Sequence, residues 1–139
     1  MYQKKCFMKK TRTIIENLGN FGLVGDNNYD KSNFNSDLLT KVRSVIKENF
    51  QTIKTFPKPE NYACDKQLRN LVLKYLSTNE CKFYVTTGLF IYAMYLEGFL
   101  IRQVKYNIKD RLVKDKSVYF NVSLRSIHTF IKKYDLNNI

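Results

Sequence analysis

The chain contains no tryptophan, one histidine, 2 prolines and 5 glycines among its 139 residues. So few chain-breaking residues exclude a collagen-like or low-complexity chain, and a hydrophobic content of 44% excludes an intrinsically disordered one. Acidic residues are also scarce, with 12 against 24 Lys and Arg, which gives a net charge of +12. These values predict a single domain over residues 1–139 that is long enough to bury a substantial core.

Cysteine is too sparse for a disulfide framework or a redox motif. Cys6, Cys64 and Cys81 are far apart and form no C-x-x-C pair, as expected in reducing surroundings. With His128 they offer ligand types for zinc, but spacings of 58, 17 and 47 residues resemble no zinc motif. We therefore expect no metal site. Because the number of cysteines is odd, Cys6 is either a free thiol or a bridge between two copies in a homodimer.

Signatures of catalysis are equally scarce. His128 lies next to the apolar face of a predicted helix, which indicates a packed or surface side chain rather than a catalytic base. Gly19, Gly22 and Gly25 have a G-x-x-G-x-x-G spacing, but no strand precedes them and no lysine or serine follows where a phosphate loop requires it. The sequence predicts that the protein is not an enzyme and uses no cofactor.

Long hydrophobic runs are absent as well. The longest run, residues 89–96, is too short to span a membrane. Residues 1–12 carry five basic side chains, but the apolar segment of a secretory signal does not follow. Because no carboxy-terminal anchor is visible, we expect a cytosolic protein that reaches membranes peripherally, through its basic ends or its partners.

The positive charge is concentrated in two segments. Residues 1–12 contribute +5 and residues 102–139 contribute +6. Such an excess attracts phosphate backbones, anionic lipid or acidic partners, and it also keeps a protein soluble. No run of five like charges and no repeated aromatic and basic module is present, so nucleic acid is not the expected partner.

Helical periodicity is the dominant pattern. Apolar residues at i, i+3/i+4 and i+7 predict helices over residues 11–23, 36–53, 65–76, 84–104 and 123–133. The segment 84–104 is apolar on nearly all sides, so the other helices must surround it. Residues 108–122 fit a helix or, at 118–122, a short strand, and we take them as mostly helical. The predicted fold class is all-α, a helical bundle around a central apolar helix.

Four segments resemble homology motifs of one family of helical proteins, in the family's order. Residues 86–98, with Gly88 and Gly98, resemble a motif centred on N-W-G-R, and residues 127–131 resemble a motif of the type H-T-W-I. Residues 12–23 are similar to an amino-terminal motif, and residues 42–47 to the weakest, L-R-x-x-G-D. These are the motifs of the Bcl (B-cell lymphoma) family of apoptosis regulators. Leu89 replaces the family's arginine, which pairs with an aspartate of the bound helix.

The resemblance implies a compact viral survival protein, similar to those of poxviruses, in the host cytoplasm or at the mitochondrial outer membrane. It implies that a hydrophobic groove binds the amphipathic death-motif helix of pro-apoptotic Bcl-family proteins and so inhibits apoptosis. The residues expected to line this groove are Val42, Val45, Ile46, Phe50, Leu71, Tyr75, Gly88, Leu89, Ile91 and Tyr92.

Two alternatives to an open groove remain. Bulky side chains at Leu89 and Tyr92 favour a filled groove, as in viral relatives that instead inhibit innate immune signalling, whereas Gly88 favours an open one. A histone fold with helices at 68–76, 84–104 and 123–133 would make a basic DNA-binding protein, but it leaves the first 60 residues without a role.

Overall fold

The computed structural model describes residues 2–23, 29–58, 61–79 and 84–138. Within these ranges the chain forms helices and an antiparallel β-hairpin, so the all-α prediction is wrong and the fold is mixed α and β. The elements are α1 (Tyr2–Glu16), α2 (Ser36–Asn49), α3 (Asp65–Asn79), α4 (Thr87–Leu96), β1 (Ile101–Ile108), β2 (Arg111–Phe120) and α5 (Leu124–Tyr134), with short 3-10 turns at Lys31–Asn33 and Leu136–Asn138.

The hairpin occupies the segment in which a helix was expected. Its strands pair from Ile101 opposite Phe120 to Ile108 opposite Arg111, with an irregularity between Gln103 and Lys105. At the base of the hairpin, side chains alternate: Ile101, Val118 and Phe120 are buried, whereas Arg102 and Tyr119 are half-buried. This two-residue period is that of a strand with one face on a core. The same finding removes the histone fold, whose long helix would run to residue 104.

Gly98 is the reason that α4 ends eight residues earlier than predicted. Its φ of +91° is a left-handed conformation that glycine adopts without a steric penalty. The N–H of Gly98 donates to the carbonyl of Tyr95, and the N–H of Phe99 donates to the carbonyl of Met94. These two bonds form a Schellman motif, which satisfies the last carbonyls of the helix and turns the chain into β1.

The other helices follow the predictions more closely. The helix predicted over residues 65–76 is confirmed as α3, which runs from Asp65 to Asn79. Ser123 caps α5 by accepting a hydrogen bond from the N–H of Ser126. Helix α2 begins at Ser36 as predicted, but it ends at Asn49 rather than at residue 53, and Asn35 caps it. Helix α1 ends at Glu16 rather than near residue 23. The sequence also predicts a loop at residues 25–28, from Gly25 and the polar residues after it, and the end of a helix at Pro59; both positions lie outside the described residues.

Helix α4 lies at the centre of the core, which confirms the expectation from its apolar composition. Its buried residues are Gly88, Leu89, Phe90, Ile91, Ala93 and Met94. Side chains at these positions point in all directions around the helix axis, so neighbours must cover every side. Helices α1, α2 and α3 all pack against α4, and the Phe90 ring meets that of Phe120 on β2, with ring centres 6.2 Å apart. In the described part of the chain, we find no helix that combines the length and apolarity needed to span a membrane.

Candidate functional site

The residues predicted to line a peptide groove lie mainly in the closed core. Eight of the ten are buried: Val42, Val45, Ile46, Phe50, Leu71, Gly88, Leu89 and Ile91. Helices α2 and α4, which carry most of them, pack directly on each other. Binding of a helix at these positions would therefore require α2 and α4 to separate.

The remaining two, Tyr75 and Tyr92, are half-buried and packed against other aromatic rings. The ring of Tyr75 lies 4.6 Å from that of Tyr134 and 5.5 Å from that of Phe130, between centres. Burial raises the pKa of Tyr75, and the nearby Tyr134 adds to this effect. Tyr92 stacks on Phe34 at 5.5 Å. Both tyrosines contribute to packing between elements.

The glycines of the G-x-x-G-x-x-G spacing have a structural role at the start of α4. Gly19 and Gly22 form an antiparallel bridge, and the carbonyl of Asn20 between them accepts a hydrogen bond of 2.9 Å from the N–H of Gly88. The Asn20 side chain also accepts a hydrogen bond from the hydroxyl of Thr86, the residue that caps α4. This turn therefore holds α1 against α4. Gly25, the third glycine, lies outside the described residues.

Of the candidate catalytic and metal-binding side chains, the structure describes His128 and Cys64. His128 is exposed, and its ring contacts that of Tyr62 at 6.4 Å. Burial raises the pKa of the Cys64 thiol, which keeps it in the neutral, weakly nucleophilic form at pH 7. Among the described residues, no three His, Cys, Asp or Glu side chains are close enough to hold a metal. The side chains of Cys6 and Cys81 lie outside the described set.

A cleft of 410 Å³ lies between α1 and the base of the hairpin. One wall consists of α1 residues, and the other of residues from β1 and β2. The described residues that line the cleft are Lys9, Lys10, Thr13, Ile14, Arg102, Gln103, Lys105 and Tyr119. Four of these eight carry a positive charge and none is acidic. Such a lining favours an anion, because its described residues contribute four cations and no carboxylate.

Thr11 fixes the position of one wall relative to the other. Its hydroxyl accepts a hydrogen bond of 2.8 Å from the N–H of Ile101 and donates one of 3.2 Å to the carbonyl of the same residue. Thr11 is 2% exposed, so these bonds are shielded from water. They give partners to the N–H and the carbonyl of Ile101, the first residue of β1. Lys9 and Lys10 are consequently held beside the strand that carries Arg102 and Lys105.

Arg102 is held at the cleft by aromatic rings. The central carbon of its guanidinium lies 5.4 Å from the ring centre of Phe56 and 5.8 Å from that of Tyr119. These distances are typical of cation–π contacts, and the two rings are themselves in edge contact at 5.5 Å. The rings restrict the rotamers of the arginine and so reduce the entropy that it loses when an anion binds.

The cleft also explains the uneven charge of the sequence. Helix α1 and the hairpin together carry 11 of the 24 basic residues and 3 of the 12 acidic ones. Two thirds of the net charge of +12 therefore belongs to these two elements. They are about 90 residues apart along the chain, but Thr11 and Ile101 join them. The fold thus brings four described cations of the two basic segments, Lys9, Lys10, Arg102 and Lys105, to one cleft.

Reasoning from the sequence found the two basic segments but not the cleft. The missing step was the hairpin, because a helical interpretation of residues 84–104 and 108–122 gives no strand edge on which α1 can dock. The signal available in the sequence was the β-branched and aromatic run Val118, Tyr119 and Phe120, which favours a strand. The chain matches no protein-family model, no curated protein sequence and no solved structure.

Proposed function

We propose that the protein binds nucleic acid, with the phosphate backbone held in the cleft between α1 and the hairpin. The observation that carries the proposal is the convergence of Lys9, Lys10, Arg102 and Lys105 in a lining that contains no acidic residue among those described. Each such contact with a phosphate releases condensed counterions, which is the main source of affinity for a polyanion. Thr13, Gln103 and Tyr119 add hydrogen-bonding groups of the kind that accompany phosphate contacts.

A regularly charged polymer fits this site better than a single small anion. Lys9, Lys10 and Lys105 are exposed, and α1 and the hairpin extend the positive charge beyond the cleft itself. A nucleic acid presents phosphates at regular intervals, so several surface cations are neutralised at once. The proposal replaces the expectation that nucleic acid is not the partner, which rested on the absence of a basic run in the sequence.

Charge reversal in the cleft tests the proposal. Lys9→Glu/Lys105→Glu changes one cation on each wall, and the matched control is Lys47→Glu/Arg125→Glu, at exposed positions on α2 and α5. Each double variant lowers the net charge from +12 to +8. Because two phosphate contacts become repulsive, we expect the cleft variant to bind a duplex of about 20 base pairs at least about 30-fold more weakly than the wild type, and the control within about threefold.

Fluorescence anisotropy at several salt concentrations provides the measurement. Four phosphate contacts predict that affinity falls about 100-fold between roughly 50 and 200 mM salt, and that the cleft variant has a shallower dependence. Equal weakening of both variants would show that net charge alone is responsible and would contradict a specific cleft. Absence of binding by the wild type would contradict the function itself.

Inhibition of apoptosis, which the Bcl resemblance implies, stays a separate prediction. So does the alternative that this chain has a filled groove and inhibits innate immune signalling. The first requires a surface that accepts a death-motif helix, and eight of the ten residues expected to form it are buried. The second requires a docking surface for a signalling protein, for which the expected groove residues give no location. The cleft has the more specific observation in its favour, so we place the function there.

A further inference from the structure

The cleft between α1 and the hairpin presents an aromatic and an aliphatic side chain as well as cations. Its described lining includes Ile14 of α1 and Tyr119 of β2, which belong to opposite walls and are half-buried. Phosphate contacts use charged and hydrogen-bonding groups, so they leave an aromatic ring and an aliphatic side chain without a role. Ile14 and Tyr119 therefore indicate a ligand that also has a flat, weakly polar part.

Tyr119 lies on the face of the hairpin that is turned away from the core. Val118 and Phe120, on either side of it, are fully buried, so the alternation of a strand directs Tyr119 to the other face. The register places Arg102 directly opposite Tyr119, and the ring of Phe56 meets that of Tyr119 at 74°. These contacts fix the orientation of the tyrosine ring, which reduces the entropy that is lost when a ligand stacks on it.

The size of the cleft suits a single nucleotide. Its volume is 410 Å³. This is near the lower end of the range of small-ligand pockets, about 300–1,000 Å³. A double helix, whose major groove alone is about 12 Å wide, is too large to enter and places only phosphates against the cations. Its bases are also paired and stacked, whereas the bases of a single strand turn outward and stack on aromatic side chains.

The cleft also contains groups that suit the polar edge of a base. The amide of Gln103 has an acceptor and two donors, and the hydroxyl of Thr13 both donates and accepts. They line the same space as Ile14 and Tyr119. A basic groove with an aromatic platform is the combination by which proteins bind single strands. The cleft has both parts of this combination.

We propose that the cleft binds one nucleotide of a single-stranded nucleic acid, with its base between Tyr119 and Ile14 and the adjoining phosphates on the four cations of the lining. The inference rests on the proposed function and adds the class of ligand. The base stacks on the ring of Tyr119, and Ile14 covers it from the wall formed by α1. Every base has a flat face, so the site tolerates different sequences. A duplex contacts the same cations but leaves the interior of the cleft empty.

Three fluorescein-labelled single strands of about 12 nucleotides test the proposal: oligothymidine in its deoxyribose form, the same bases in ribose form, and an abasic deoxyribose strand. The abasic strand has the same number of phosphates, so its affinity relative to oligothymidine isolates the contribution of the bases. Fluorescence anisotropy at one salt concentration measures the full-length wild type, Tyr119→Leu, which removes the ring, and Tyr119→Phe, which keeps it. Tyr84→Leu is the matched control, since Tyr84 is 69% exposed and is not among the residues that line the cleft.

We expect the wild type and the Tyr84→Leu control to bind deoxyribose oligothymidine at least about tenfold more tightly than the abasic strand, because stacking of a base on an aromatic ring supplies this difference. The ratio of the two affinities should fall below about threefold in Tyr119→Leu and be restored in Tyr119→Phe. Circular dichroism spectra that match the wild type establish that the variants are folded.

A wild-type ratio below about threefold, with binding of the abasic strand retained, would overturn the base site and leave the proposed function intact. This result depends on no variant. A ratio of about ten that persists in Tyr119→Leu would place the base elsewhere and would also overturn the inference. No binding of any strand or of a duplex by the wild type would overturn the proposed function as well. A preference between the ribose and deoxyribose forms, which differ in the 2′-hydroxyl, supports the site in either direction and identifies RNA or DNA as the source of the strand.

Discussion

Replacement of Gly88 by alanine is expected to lower the free energy of unfolding by at least about 3 kcal/mol. A Cβ atom at this position would lie 2.0 Å from the carbonyl oxygen of Gly19 and 2.6 Å from that of Asn20. Both obstacles are backbone atoms, so no side-chain rotation can relieve the contact. The turn at residues 19–22 must move away from α4, and the hydrogen bond from the N–H of Gly88 to Asn20 is then lost.

Urea denaturation followed by circular dichroism measures this effect, with Gly98→Ala as the control. Nothing lies within 4 Å of a Cβ at Gly98, but its φ is +91°, so that variant carries the cost of the backbone conformation alone, about 1 kcal/mol. A Gly88→Ala protein as stable as the wild type would show that the turn does not lie against α4. The same contact explains why a glycine at this position does not indicate an open groove.

Replacement of Asn121 by alanine is expected to cost about 3 kcal/mol, because two backbone groups lose their partners. Asn121 is 6% exposed and follows the last residue of β2. Its Oδ1 accepts a hydrogen bond of 2.7 Å from the N–H of Leu100, and its Nδ2 donates one of 2.9 Å to the carbonyl of Ile53. The side chain thus joins the end of the hairpin to the connection after α4 and to the segment after α2.

Hydrogen exchange at Leu100, together with urea denaturation, tests this role. The Leu100 amide should exchange faster in Asn121→Ala, since its acceptor is removed. The control is Asn17→Ala, an exposed position whose amide bonds the carbonyl of Thr13 within the same turn, and it should change stability by less than about 0.5 kcal/mol. An equal loss of unfolding free energy in the two variants would contradict the role of Asn121 in joining these segments.

The sequence contained enough local information for α3 and α5 and for the central position of α4. Their signals are short-range: a capping residue such as Ser123 and an apolar face of helical period. The error at the hairpin has a different origin. An apolar residue such as Leu112 is compatible with a helix or with a strand. Which of the two forms depends on the register with β1, which pairs Leu112 with Asn107. A pattern read along a single segment does not contain that register.

The candidate site depended even more on long-range contacts. Lys9 and Arg102 are conspicuous as cations in the sequence, but their proximity follows from the bonds between Thr11 and Ile101, which are separated by 90 residues. The residues expected to line a groove depend instead on a local pattern. Val42, Ile46 and Ile91 show helical apolar spacing, which indicates a buried face but does not distinguish a groove wall from a closed core.

An amide chemical-shift titration of the 15N-labelled full chain with a duplex of about 20 base pairs tests most directly that the cleft is the binding site. We predict that the largest changes lie in residues 9–14 and 102–105, on the two walls of the cleft. A parallel titration with a death-motif helix tests the hypothesis that the protein inhibits apoptosis by binding such helices. Changes confined to α2 and α4 on addition of that peptide, with no response to DNA, would contradict the account and favour the apoptosis-related function.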